Sequence, residues 1–193
     1  MELQHVNVKI YASSPDAVSL DESLLIFHRW IRDDVAEELL IDVADYSHVP
    51  AGPGVLLIGH QAAYSVEAGP EERMGVLYNS KTARPGSNQE RIVHALRSAI
   101  QAAARLETET LWSKPVKFNA GDLAVIINDR ALAPNAPETF AAVKDDLTAA
   151  LKQVFGDVAF ELRYEQGDAR RRFQVTVKAE RALAPGDLAA AAR

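Results

Sequence analysis

At 193 residues, 48% hydrophobic and 25% charged, the chain is long enough to bury a proper core and ordinary in composition for a globular protein. It has no cysteine, which excludes disulfides, thiolate catalysis, zinc ribbons and iron–sulfur ligation. Its net charge of −6 opposes a phosphate backbone, so nucleic acid is not an expected partner, and its longest apolar runs, Val55–Ile58 and Leu123–Ile127, fall far short of the ~20 residues a membrane span needs.

Met1-Glu2-Leu3-Gln4-His5 opens without a basic region followed by an apolar one, which sets a cytoplasmic location as the expectation. The abundance of Ala, Arg and Leu over Lys and Asn points to a GC-rich bacterial genome. From His5 to Ala12, Val6, Val8 and Ile10 alternate with Asn7, Lys9 and Tyr11, the period of a half-buried strand. Ser13-Ser14-Pro15-Asp16 breaks it. Leu24, Phe27, Ile31 and Val35 suit a helix stripe, but the clustering of Ile, Phe and Trp favours a strand-like segment over Leu25–Ile31. Val35, Leu39, Val43 and Tyr46 then recur every three or four positions and predict a helix over Asp34–Tyr46, with Asp33 and Asp34 complementing its dipole.

Pro50 and Gly52-Pro53-Gly54 end that helix and launch Val55–Glu67, which Ala68-Gly69-Pro70 turns into Met74–Ser80 as a hairpin. Ser87-Asn88-Gln89-Glu90 is a capping box, and the helix it opens, Asn88 to Leu106, buries Ile92, Val93, Leu96, Ile100 and Ala103. Residues 108–116 connect to Leu123–Ile127, a strand buried on both faces. Asn135, Pro137 and Glu138 start a helix with a Phe140, Val143, Leu147, Leu151, Val154 stripe, and Gly156 stops it. Val158–Glu165 and Arg171–Ala179 form a last hairpin, with Glu161, Arg163 and Glu165 facing Arg172 and Lys178 across its outer side.

The order strand, helix, hairpin, helix, strand, helix, hairpin predicts an α+β fold: a mixed, largely antiparallel sheet of hairpins with helices packed on one face. Residues 1–180 read as one domain, divisible into halves 1–110 and 111–180 without any residue-level repeat. Residues 181–193 are expected to form a mobile tail, or a short docking helix at most.

The chemistry-bearing residues crowd between Asp42 and His60. On a continuing helix Asp42, Asp45 and His48 share a face, and with His60 from the next strand they make a two-histidine, two-carboxylate set. The spacing is not a zinc signature, and the wet face and C-terminal cap of a helix account for the same residues, so no metal is assigned. His60 follows Gly59, which permits close approach by a backbone or a ligand, and Asp42 or Asp45 would orient it as a general base. His28, beside Trp30, is a further candidate for the same cavity. Gly75-Val76-Leu77-Tyr78-Asn79-Ser80-Lys81-Thr82 approximates a phosphate-binding loop, but it lacks the second glycine and reads as strand where a helix must begin. Arg170-Arg171-Arg172 reads as a charged outer sheet face, and no serine stands in a Gly-x-Ser-x-Gly elbow.

The leading expectation is a small-molecule-binding or oligomeric accessory protein with a pocket of Asp42, Asp45, Tyr46, His48, His60, Tyr64 and His28, and no cofactor identified. The alternative is an enzyme in which His60 or His48, with Asp42 or Asp45, performs acid–base or metal-assisted hydrolysis. A homo-oligomer is expected from Trp30, Trp112 and the uncovered edges of the hairpins.

Overall fold

In a computed structural model, residues 1–191 are described, and among them eight strands form one sheet in the order β2-β3-β4-β5-β1-β6-β8-β7. The strands are β1 (Val6–Ala12), β2 (Leu40–Tyr46), β3 (Gly54–Gly59), β4 (Ala62–Glu67), β5 (Gly75–Ser80), β6 (Phe118–Ile127), β7 (Phe160–Arg163) and β8 (Phe173–Ala179). Every pairing is antiparallel. Helices α1 (Leu20–Arg32), α2 (Asn88–Glu107), α3 (Pro137–Phe155) and α4 (Pro185–Ala191) complete an α+β fold. No helix is long and apolar enough to cross a membrane among the described residues.

The alternation along β1 decides how the layers pack. Val6, Val8 and Ile10 join the main core with Ile26 and Phe27 of α1, Ile92 and Leu96 of α2, and Leu147 and Leu151 of α3. All four helices therefore share one face. Asn7, Lys9 and Tyr11 point the other way, where Tyr11, Leu77, Ala124 and Ile126 make a small second cluster. Among the described residues no α-helix covers this face; residues 68–73 cross it instead, with a 3-10 turn at Gly69–Glu71. Lys9 Nζ donates to Ala68 O at 2.8 Å, the Tyr11 hydroxyl to Glu71 Oε2 at 2.6 Å, and Arg73 lies over the Tyr11 ring and pairs with Asp122. Gln174 of β8 donates to the other oxygen of Glu71. This strap explains why Leu123–Ile127 is buried on both faces, as its unbroken apolar run predicts.

Two expected elements are corrected. Leu25–Ile31 is helix, not strand: the Ser19 hydroxyl accepts from Glu22 N, Asp21 and Glu22 occupy the first turn, Arg29 and Arg32 the last, and Ile26, Phe27 and Trp30 face the core. The cap, not residue type, decides it. Asp34–Tyr46 is not a helix. Its second half is β2, an edge strand whose alternation is broken by a register shift between Leu40 and Asp42, so the apolar spacing imitates a helical period.

Three further details differ from expectation. Val55–Glu67 is two strands folded at Gly59-His60-Gln61. Ala136, not Asn135, is the N-cap of α3; the Asn135 side chain donates to Asp168 O, and Thr139 Oγ1 donates to Pro134 O. In the last hairpin Glu161 and Lys178 are in register, yet Lys178 reaches Asp122 on β6 while Arg163 pairs with Glu161 on its own strand. The capping box of α2 forms as the sequence predicts. Within the segment read as a mobile tail or docking helix, Pro185–Ala191 packs as α4 against α2; residues 192–193 lie outside the described residues.

Candidate functional site

The residues gathered by sequence proximity are spread out by the hairpin β2–β3–β4. Tyr46 ends β2 and His48 lies in the turn of residues 47–53, whereas His60 lies in the turn at the far end of β3. The six residues of β3, at about 3.4 Å each, put roughly 20 Å between the two turns. Both histidines are exposed. Asp42 is exposed on the edge strand and accepts from Val43 N at 2.8 Å, occupying a backbone amide of that edge; Asp45 accepts from Ser47 N at 2.8 Å and shapes the turn. His28 is exposed on α1. No group of three or more His, Asp or Glu positioned to hold a metal occurs among the described residues.

Tyr64 is the exception. It faces the helices, its ring centroid 5.5 Å from that of Tyr78, and burial followed by the charge of Glu38 raises its pKa. Glu38 Oε2 also accepts from Gln61 N at 2.7 Å and Ala62 N at 3.0 Å, closing the His60 turn. The close approach that Gly59 permits is therefore by this carboxylate: a Cβ there would meet Glu38. The two tryptophans are engaged within the chain, Trp30 Nε1 donating to Glu109 and Trp112 Nε1 to Leu106 O.

Two other places have the character of sites. The first is a cavity of about 270 Å³ between α2, α3 and α4, lined by Arg97, Ile100, Val154, Phe155, Leu188 and Ala189 among others. Its walls exist because three amphipathic helices from distant parts of the chain meet with small residues: the alanines of α4 and Gly156, which ends α3 at φ +64°. That volume is near the lower end of the ~300–1,000 Å³ usual for ligand pockets, and the lining is mainly apolar. Among the described residues the Arg97 guanidinium has neither a carboxylate nor a hydrogen-bond acceptor.

The second is a void of about 10 Å³ where β1 and β5 meet the start of α2, lined by His5, Tyr78, Ser80, Arg84, Arg91 and His94 among others. The Tyr78 hydroxyl is 3.2 Å from His94 Nε2, and the Ser98 hydroxyl is 3.5 Å from the same nitrogen. Burial, then the charge of Arg84, lowers the His94 pKa, while burial raises that of Tyr78. At neutral pH the imidazole is thus neutral and shares a hydrogen bond with the phenol.

A pH dependence follows. The folded His94 pKa lies below the unfolded value of 6.5, so the unfolded chain binds more protons between the two. Stability should therefore fall as pH drops from 6.5 through the folded pKa, and urea titrations of His94→Gln should lose that share of the slope. An unchanged slope would mean that His94 titrates freely in the folded protein.

Sequence reading passes over both places. His94 and Arg97 read as ordinary residues of a helix surface, and the one available signal was the neighbouring Arg84-Pro85-Gly86-Ser87 turn, which carries an arginine to the helix start. Comparison of the chain with protein-family models, curated proteins and solved structures finds no match.

Proposed function

We propose that the protein binds a small, largely apolar molecule with an anionic group, in the cavity between α2, α3 and α4. The observation that supports this is the cavity itself: about 270 Å³ lined by Ile100, Val154, Phe155 and Leu188, with Arg97 at its edge. Apolar burial supplies affinity and the arginine supplies orientation, the usual division in such pockets. The lining grips rather than reacts, which fits a binding or accessory role.

Octanoate is the first probe. Isothermal titration is expected to show saturable binding to the wild-type protein and a loss of at least tenfold in Ala189→Trp, whose indole occupies the cavity. A circular dichroism melt of the variant confirms that it folds. Equal octanoate affinity in the two proteins, or no binding to the wild type, would reject the proposal.

A further inference from the structure

We propose that the void between β1, β5 and the start of α2 is a binding site for a small oxyanion, which Arg84 holds while His94 takes up a proton. This site is separate from the apolar cavity, and neither reading depends on the other. The void of about 10 Å³ has room for one water-sized group, so one oxygen of the anion enters and the rest remains at the mouth.

The local charge favours an anion although the chain is acidic overall. Arg91 is buried, with 7% of its side chain exposed, and is held by Arg84 O at 2.8 Å, Leu3 O at 3.0 Å and Glu2 at 2.8 Å. Glu2 closes an ion pair on Arg91, which leaves Arg84 as the charge available to an anion. His5 Nδ1 lies 2.8 Å from Asp129, and Glu37 acts on His94 from the segment after α1. Glu2 and Asp129 are each paired, and the charge of Glu37 favours a protonated His94. Among the described residues, the Arg84 guanidinium has no acceptor, and its charge reaches both Tyr78 and His94. His5 adopts φ +47°, a conformation costly for a residue with a side chain, and its ring lines the same void.

The hydrogen bonds can rearrange without moving the backbone. Before the anion binds, this rearrangement requires the Nδ1–H tautomer of His94, whose Nε2 accepts from the Tyr78 hydroxyl 3.2 Å away. When an oxyanion enters, His94 takes a proton from solvent onto Nε2 and donates to the phenol oxygen, and the phenol turns its hydrogen to the anion. The Ser80 hydroxyl, 3.4 Å from Thr82 O and within reach of the Tyr78 hydroxyl, can donate to the same oxygen. Burial and the positive charge of Arg84 hold His94 neutral until the anion offsets them. Tyr64, Glu38 and Ser98 complete the surroundings and carry no charge change in this step.

Inorganic phosphate is the probe, and the His94 ring proton in a pH titration by NMR is the readout. Saturating phosphate should raise the His94 midpoint by about one to three units, as an opposite charge within ~4–6 Å does. Phosphate should also bind more tightly as pH falls, about tenfold per unit between the empty and filled midpoints. Arg84→Ala should abolish the phosphate-induced shift, and Arg84→Lys should retain part of it. A midpoint that phosphate leaves in place, or moves equally in wild type and Arg84→Ala, would overturn the proposal. The Arg84→Lys result keeps the test decisive if the alanine variant is unstable.

Discussion

Replacing Glu67 with alanine is expected to destabilise the protein by about 3–5 kcal/mol, the usual effect of stranding one member of a buried ion pair. Lys9 stands on β1, the fifth strand of eight, with 5% of its side chain exposed; Glu67 on β4 has 9%. The ammonium is 3.4 Å from Glu67 Oε1, and its stronger bond is the 2.8 Å contact to Ala68 O; the Ser65 hydroxyl donates to the other carboxylate oxygen at 3.1 Å. Burial already lowers the Lys9 pKa, while the charge of Glu67 and its hydrogen bond oppose that effect.

Without the carboxylate the pKa falls further below the unfolded value of 10.5, and the unfolded chain binds more protons throughout that widened window. The penalty should therefore shrink as pH rises from the folded Lys9 pKa of the variant to that of the wild type, and stay level above it. Urea unfolding at neutral and alkaline pH measures both quantities. The Lys9→Met, Glu67→Leu double variant should recover most of the loss, because the apolar pair has no charge to desolvate. A cost below about 1 kcal/mol for Glu67→Ala would mean that water reaches the pair and that the strap of residues 68–73 stands open.

Phe155→Ala is expected to cost a similar ~3–5 kcal/mol, through lost burial and the space left behind. Phe155 is 4% exposed and meets Phe160 edge-to-face, centroids 6.0 Å apart, so it fastens the end of α3 to β7. It also forms part of the wall of the ligand cavity. The variant should therefore recover part of its stability in the presence of a longer carboxylate such as decanoate, which fills the enlarged space. Thermal melts with and without decanoate test this. Destabilisation with no recovery by decanoate, while wild type binds octanoate, would place Phe155 in the core rather than in the binding wall.

The α+β class was legible because its evidence is local. The Ser87–Glu90 capping box, the alternation in β1 and the unbroken run of β6 each report their own element. Where the signal is not local, reading along the chain misleads. Leu25–Ile31 carries residues that suit strands beside a helix stripe of Leu24, Phe27 and Ile31, and the Ser19 cap several positions earlier decides between them. Edge strand β2 has one face against α1 and one in solvent, and its register shift erases the alternation that would have identified it. Four site candidates, Asp42, Asp45, His48 and His60, were chosen for closeness in sequence. The hairpin keeps Asp45 beside His48 and sets Asp42 opposite Ile58, two residues from His60. It puts the two histidines at opposite ends of β3, and of the candidates Tyr64 lies inside the helical layer. The cavity and the void come from segments up to about ninety residues apart, and nothing in single-segment periodicity announces such a meeting.

The central claim is that a small molecule enters the space between α2, α3 and α4, and methyl NMR during titration with octanoate tests it most directly. The expected result is a saturable change at the methyls of Ile100, Val154 and Leu188, with those of β2 and β3, such as Val43 and Leu56, left in place. Saturable changes centred on the β2–β3 hairpin, or none at the three cavity methyls, would contradict it.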